Sequence, residues 1–161
     1  MRPGVRLGVD VGKARVGIAS SDRDGLLATP VATLARADAD ERSFRILVED
    51  YGAMEIVIGL PLSLSGADTA STTDAREFAA AVAGWTGLPV RLVDERLSTV
   101  SAQRALRDSG RRTKGSRPVI DQVAAVIILQ NALDSERSAG RPPGALVGPE
   151  SGVDPSSSTD R

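Results

Sequence analysis

Acidic residues stand at three places in this chain in or beside apolar segments, where a charged side chain is costly. Asp10 lies near the end of an apolar segment close to the N-terminus, and Asp94 and Glu95 end a second one. Asp121 is the only charge in a long apolar stretch. Because a buried, unpaired carboxylate costs several kcal/mol, Asp121 must cap a helix, form an ion pair or bind a metal. Asp10 has a structural alternative too, since an acid before Gly12 can cap a tight turn.

The chain contains no Cys and no His, and these absences exclude several kinds of site. It cannot form a zinc site of the usual type or a Cys–His or Ser–His nucleophile pair, and it has no histidine general base. Any metal must therefore be bound by oxygen atoms. Hard ions such as Mg²⁺ or Mn²⁺ suit carboxylate ligands, so a metal enzyme of this composition would use Asp and Glu.

The formal net charge is −1, so nucleic-acid binding would need basic residues that are gathered locally. Residues 104–117 contain six basic residues and one acid, with Arg111, Arg112 and Lys114 in the glycine-containing centre. This pattern is typical of a flexible loop that follows a phosphate backbone, although charge runs also occur on solvated surfaces. No aromatic residue interrupts the run, so base stacking is not expected to be its main contact.

A length of 161 residues with 41% hydrophobic residues predicts one globular domain with a real core. No apolar run reaches the ~18 residues that a membrane helix needs, and the N-terminus lacks the pattern of a signal peptide. We therefore expect a cytoplasmic protein without a membrane partner.

The hydrophobic pattern predicts the element order β-β-β-α-β-α-β-α-α. The predicted elements are strands in 5–12, 15–20 and 26–34, a helix after Asp38, a buried strand over 55–60, a helix from about Ser71, a strand from Val90, a helix over about 97–108 and a last helix over 119–133. Pro30 fits an edge strand, and the last helix is apolar almost all round, which predicts complete burial. Residues 1–136 form the predicted domain, and the Gly/Pro/Ser-rich residues 137–161 are expected to be a disordered tail.

Four blocks in this order resemble the YqgF/RuvX family of Holliday-junction-resolvase-like proteins, which are also described as nucleases of precursor 16S ribosomal RNA. The blocks are GVDVGKARVGIA from Gly8, VIGLPLSLSG from Val57, VDERLST from Val93 and KGSRPVIDQVAAVIILQ from Lys114. Together they span nearly the whole chain up to Ser135. The resemblance implies a ribonuclease H-like α/β fold, with a five-stranded mixed sheet built from a three-strand antiparallel meander and two parallel strands, flanked by helices.

The resemblance also implies a site and a reaction. Acids of the first strand, a later strand and the last helix would converge on one or two Mg²⁺ or Mn²⁺ ions for phosphodiester hydrolysis. Matching the motifs assigns Asp10, Glu95 and Asp121 as catalytic metal ligands. The nucleic-acid contacts implied beside them are Lys13, Arg15, Arg96, Arg111, Arg112 and Lys114. The expected substrates are precursor 16S rRNA, at its 5′ end, or a branched DNA junction, whose symmetric resolution would call for a homodimer.

One position departs from the better-known resolvases of this fold, which carry an acid on the strand beside the first one. Here that position is Gly59, and the acids follow the next strand instead. The longer Glu95 is expected to reach back toward the site. Adjacent strand residues point to opposite faces, so Asp94 would cap the following helix or pair with an arginine.

Two other functional classes stay open from the sequence. A nucleic-acid-binding or ribosome-assembly factor could keep the fold without cleavage. An actin-like ATPase or sugar-kinase type of phosphotransferase also opens with an Asp-x-Gly turn, but that class needs two such domains, and this chain has room for one.

Overall fold

The computed structural model describes residues 1–97 and 117–147, and within them the side chains of residue 97 and of residues 117–121 are not described. The predicted helix over 97–108 and the basic residues Arg111, Arg112 and Lys114 lie outside these ranges. The strands are β1 (Val5–Val11), β2 (Arg15–Ser21), β3 (Ala28–Ala35), β4 (Ala53–Leu60), β5 (Val90–Asp94) and β6 (Ala145–Val147). The helices are α1 (Glu41–Tyr51), α2 (Ala70–Thr86) and α3 (Arg117–Ala139). No helix in these ranges has the length and apolar character needed to cross a membrane.

All six strands form one mixed sheet with the order β3-β2-β1-β4-β5-β6. Strands β1, β4 and β5 run parallel, and β2, β3 and β6 each run antiparallel to their neighbour. The predicted meander and parallel strands are therefore confirmed. Pro30 lies on the edge strand β3, beside a register shift in its pairing with β2, as a residue without an amide hydrogen requires.

The sheet has six strands rather than the predicted five, and the difference arises in the expected tail. Helix α3 continues to Ala139, and Ala145–Val147 pair with β5. A three-residue strand has too little periodicity to be recognised in a Gly/Pro/Ser-rich sequence. The expected disorder of residues 137–147 is therefore wrong, whereas residues 148–161 lie outside the described part.

Helices α1 and α2 cover one face of the sheet. Each helix begins with a reciprocal capping box, between Asp40 and Ser43 in α1 and between Thr69 and Thr72 in α2, which satisfies amide groups that the first turn leaves without partners. Three of the four aromatic residues of the chain, Phe44, Phe78 and Trp85, pack between the helices with ring centroids 5.7–5.9 Å apart. This contact fixes α1 and α2 against each other.

Helix α3 covers the opposite face and approaches the sheet closely because the sheet has no side chain at Gly8. A Cβ added at Gly8 would lie 2.6 Å from Leu129 Cβ and 3.0 Å from the carbonyl oxygen of Ala125. Ala125 and Leu129 are completely buried. The prediction that α3 is buried all round is wrong, since Val123 is 38% exposed on the side away from the sheet.

A buried ion-pair network joins the C-terminal half of α3 to the amino ends of the strands. Arg2 bridges Glu55 Oε1 (2.8 Å) and Glu136 Oε2 (2.7 Å), while Arg91 binds Glu55 at 2.7 Å and Arg6 lies 3.4 Å from Glu136. The hydrogen bond from Arg2 lowers the pKa of Glu136 to about 2. Because Arg6 contacts Glu136 and Gly8 contacts Leu129, α3 runs antiparallel to β1, and its N-terminal end points toward the carboxyl end of β1.

We predict that Glu136→Gln lowers the free energy of unfolding at pH 7 by roughly 3 kcal/mol, because it leaves buried arginine charge without its partner. The Glu136 carboxylate has a depressed pKa in the folded chain, so its contribution is complete above pH 4.5 and fades as the pH falls toward 2. Urea titrations at several pH values should show wild type and variant converging in acid.

The exposed pair of Glu41 and Arg45 supplies a control. Glu41→Gln should change the unfolding free energy by less than about 0.5 kcal/mol. An equal loss in the two variants, or a difference for Glu136→Gln that persists at pH 2, would contradict the role of the network.

Candidate active site

Asp10 lies near the carboxyl end of β1 and is completely buried. Side chains alternate between the faces of a strand, so Asp10 shares the face of Gly8, which is the face covered by α3. Val9 pairs with Ile58, the last pair between β1 and β4, and the next residues in the same register are Asp10 and Gly59. The apolar pattern of β1 thus carries one carboxylate under α3, at the edge where β1, β4 and β5 all end.

Glu95 reaches the same place from the other side. It follows β5 directly, and its side chain is folded back so that Oε2 fills the space that a side chain at Gly59 would occupy. Glu95 is 2% exposed. Adjacent strands lie about 4.8 Å apart, so the buried Asp10 on β1 and the buried Glu95 carboxylate at Gly59 of β4 occupy neighbouring positions on the α3 face.

The departure at Gly59 therefore has a steric explanation. A Cβ at this position would collide with Glu95 Oε2 and would lie 2.6 Å from Ile128 Cδ1 on α3. An acid on β4 and an acid arriving from β5 are alternative ways to fill one volume. This chain uses the second, and the missing side chain of Gly59 is the condition for it.

Asp94 has a different role from its neighbour. Its Oδ2 accepts hydrogen bonds from Nε and Nη2 of Arg96 at 3.1 and 2.7 Å, and its Oδ1 accepts them from Nε at 3.1 Å and from the Arg96 amide at 2.9 Å. The Arg96 side chain holds the pKa of Asp94 below its usual value. Pairing with an arginine is one of the two roles that the sequence leaves for Asp94.

Arg96 is committed to protein contacts. Besides Asp94, its Nη1 donates to the carbonyl oxygen of Leu64 at 3.3 Å, so that it ties the loop after β4 to the end of β5. The nucleic-acid contact predicted for Arg96 stays a prediction, and in this arrangement it would require the guanidinium to serve both the loop and a phosphate.

Two further cations predicted for the site follow Asp10 closely in the chain. Lys13 is exposed in the turn between β1 and β2. Arg15 begins β2, and because Asp10 pairs with Gly17 across the ladder, Arg15 lies on the same face of the sheet as Asp10. The three basic residues predicted between 111 and 114 lie outside the described residues.

Asp121 lies in the N-terminal part of α3, four residues after the helix begins. The direction of α3 brings that part of the helix toward the carboxyl end of β1, where Asp10 lies. The structure does not describe the Asp121 side chain. Among the side chains that it does describe, no group of three potential metal ligands is found, so Asp10 and Glu95 are the described part of the predicted set.

The donors that are present fit a hard divalent cation. Asp10 and Glu95 supply only carboxylate oxygens, in a position screened from water, which is the ligand chemistry that Mg²⁺ and Mn²⁺ prefer. A cleft of about 540 Å³ opens beside Glu95, between the end of β5 and Asn131 and Asp134 on α3. Glu95 therefore adjoins a space that a larger molecule can enter.

The sequence contains a partial signal for the arrangement at Gly59. Small residues recur where α3 meets the sheet, at Gly8, Ala125 and Gly59, and such a pattern indicates close packing. What the sequence cannot show is which side chain fills the space above Gly59, because the answer depends on strand order and on the path of the chain after β5.

We predict that Gly59→Ala displaces the Glu95 carboxylate and Ile128, since both would overlap the added methyl group. Overpacking should reduce the free energy of unfolding by about 1–3 kcal/mol, and Mn²⁺ affinity measured by calorimetry should fall at least about tenfold.

Gly84 in α2 provides the matched control, because a methyl group added there meets nothing within 4 Å. Gly84→Ala should leave Mn²⁺ affinity unchanged and stabilise the helix by up to about 1 kcal/mol. If Gly59→Ala binds Mn²⁺ as tightly as the wild type does, Glu95 is not a ligand of the metal.

Comparison with known proteins identifies relatives along nearly the whole chain. The family model RuvX, described as Holliday junction resolvase, matches residues 4–135. A protein of Leifsonia xyli subsp. xyli that is named as a pre-16S rRNA nuclease is 59% identical over 154 residues, which cover 94% of this chain and 99% of that protein. One of the same name from Clavibacter michiganensis subsp. michiganensis is 61% identical over 158 residues, covering 96% and 98%.

Among solved structures, RuvC from Thermus thermophilus in complex with a Holliday junction substrate aligns with a TM-score of 0.51 at 14% identity. The alignment covers 86% of this chain and 99% of that one. At this identity the likeness concerns the fold alone, and it confirms the predicted ribonuclease H-like fold.

Proposed function

Because the chain belongs to the RuvX family, we propose that it is a divalent-metal-dependent endonuclease that hydrolyses phosphodiester bonds in structured nucleic acid. The observation that supports the proposal is a pair of buried acids on neighbouring elements: Asp10 near the end of β1, and Glu95, whose Oε2 lies at Gly59 on β4. Burying a carboxyl group is costly, and a protein that only binds nucleic acid has no need to bury two of them at this edge of the sheet.

The proposed substrate is the precursor of 16S rRNA, at its 5′ end. Relatives that are 59% and 61% identical over almost their full length carry the name of a nuclease of this RNA. Branched DNA is the second candidate, supported by the description of the family model. The cations that follow Asp10 closely in the chain would bind phosphate groups, which both substrates contain, so the two are separated by experiment.

In the proposed mechanism Asp10, Glu95 and Asp121, one acid from each of three elements, would hold Mg²⁺ or Mn²⁺. The bound ion would supply Lewis-acid chemistry, by lowering the pKa of a water and neutralising charge on the phosphoryl oxygens. Lys13 and Arg15 orient the scissile strand through its phosphates. The cover of α3 excludes bulk water from the carboxylates, which strengthens every charge interaction among them.

We predict that Asp10→Asn reduces cleavage by at least about 100-fold while the fold and most of the nucleic-acid affinity persist, because the substitution removes one ligand charge without changing side-chain volume. Single-turnover cleavage of a precursor 16S rRNA fragment and of a four-way DNA junction, each in Mg²⁺ and in Mn²⁺, measures the effect and identifies the substrate.

Asp24→Asn, in the exposed turn after β2, is the control and should cleave at the wild-type rate. Equal activity of Asp10→Asn and wild type would reject the nuclease mechanism. Binding of either nucleic acid without cleavage by the wild-type protein, in both metals, would favour a non-cleaving assembly factor.

A separate prediction concerns the basic segment. Replacing Arg111, Arg112 and Lys114 together by Gln should weaken binding and reduce the slope of log affinity against log salt concentration by up to about 0.9 for each phosphate group that the segment neutralises. Fluorescence anisotropy in EDTA measures this slope without cleavage. A slope equal to that of the wild type would make the segment an ordinary solvated surface.

A further inference from the structure

The turn that joins β1 to β2 is bound by Arg36, which directly follows β3. Gly12 and Arg15 close the turn with a hydrogen bond of 2.9 Å between the amide of Gly12 and the carbonyl oxygen of Arg15. Arg36, directly after β3, then binds two carbonyl oxygens of the turn. Its amide donates to Ala14 at 2.8 Å, and its Nη1 donates to Gly12 at 2.8 Å.

The Arg36 guanidinium is itself fixed on α2. Nη1 and Nη2 donate to the two oxygens of Asp74 at 3.0 and 2.8 Å, and the guanidinium carbon lies 5.0 Å from the centre of the Phe78 ring. A forked, two-bond pair of this kind restrains direction as well as distance. Phe78 belongs to the aromatic cluster between α1 and α2, so the restraint extends from the turn into the core.

The turn carries Lys13 at its tip and begins two residues after Asp10. The hydrogen bonds of Arg36 lower the pKa of Asp74, and the charge of Lys13 lowers it further. The Lys13 ammonium therefore lies within electrostatic reach of the same carboxylate. On an unrestrained turn, a lysine side chain would occupy many positions, and fixing it on a phosphate would cost conformational entropy.

We propose that Arg36, held by Asp74, is a positioning residue that fixes the turn bearing Lys13, so that Lys13 meets a substrate phosphate beside the acids at the carboxyl edge. The inference rests on the proposed function, since it uses Lys13 as a phosphate contact. Arg36 acts through Lys13 and makes no substrate contact of its own. A preorganised cation binds phosphate without the ordering cost that a loose one incurs.

This assignment is tested by the salt dependence of binding to a 5′-leader fragment of precursor 16S rRNA, in EDTA. Lys13→Gln should lower the slope of log affinity against log salt by about 0.7–0.9, the value of one phosphate contact. Arg36→Lys keeps the charge but loses the fork. It should lower the slope by a similar amount, and it should add nothing in the Lys13→Gln background.

Asp74→Asn weakens the pair of Arg36 and Asp74 at its acidic partner and leaves the backbone of the turn intact. Counting charge alone, it makes the protein more positive near Lys13 and should tighten binding. The positioning role predicts weaker binding, by about 3- to 10-fold at 0.15 M salt. Asp68→Asn is the matched control. Asp68 lies just before α2 and forms an exposed ion pair with Arg76 within α2, so its replacement should not weaken binding.

The outcomes separate the two proposals. An unchanged slope in Lys13→Gln removes the phosphate contact that the proposed function assumes, and the inference with it. A reduced slope in Lys13→Gln together with wild-type binding in Arg36→Lys and Asp74→Asn overturns the inference alone. A further loss when Arg36→Lys is added to Lys13→Gln also overturns it, since the two residues would then act independently.

Discussion

The distance between α3 and the sheet is the constraint on which the rest of the structure depends. The helix can lie this close because Gly8 and Gly59 present no side chain to it and because Ala124 and Ala125 are small. Close contact gives more dispersion energy and leaves no room for water. It also sets how little space remains at the carboxyl edge, where Glu95 occupies the volume that Gly59 leaves.

The face under α3 uses carboxylates in two ways. At the amino ends of the strands, Glu55 and Glu136 are bound by arginines, and the network fixes the C-terminal half of the helix. At the carboxyl ends, Asp10 and Glu95 are buried just as completely, and a cleft opens beside Glu95. Helix α3 links the two regions. The ion pairs of its C-terminal half therefore help to set the distance between its N-terminal half and the acids at the carboxyl ends of the strands. The arginine network thereby contributes to the site without lying in it.

Much of this architecture could be predicted from the sequence, because it depends on local periodicity. The alternation in β1, the apolar run of β4 and the helical spacing of Phe78 and Val82 each reflect burial on one side or both. The sequence also predicts that Glu95 extends back toward the site, because β5 lies farther from β1 than β4 does and a longer acidic side chain is needed there. The burial of Glu95 agrees with that expectation, while its role as a ligand stays a proposal.

Other features depend on contacts between residues far apart in the chain, for which the sequence has no local signal. The clamp of Arg36 on Asp74 joins residues 38 positions apart, and Arg2 binds Glu136 across 134. Strand β6 is too short to show a period, and its pairing depends on the exposed edge of β5. The burial of α3 was over-predicted for a different reason. An apolar composition on all sides of a helix does not show which side another element covers.

In the proposed site, acids from β1, from the residue after β5 and from α3 bind one divalent cation. The most direct measurement is anomalous scattering from a crystal soaked in MnCl₂. The proposed site predicts a manganese peak about 2 Å from carboxylate oxygens of Asp10, Glu95 and Asp121. A peak on other acids, or full occupancy that persists when Asp10 and Glu95 are replaced by Asn and Gln, would contradict it.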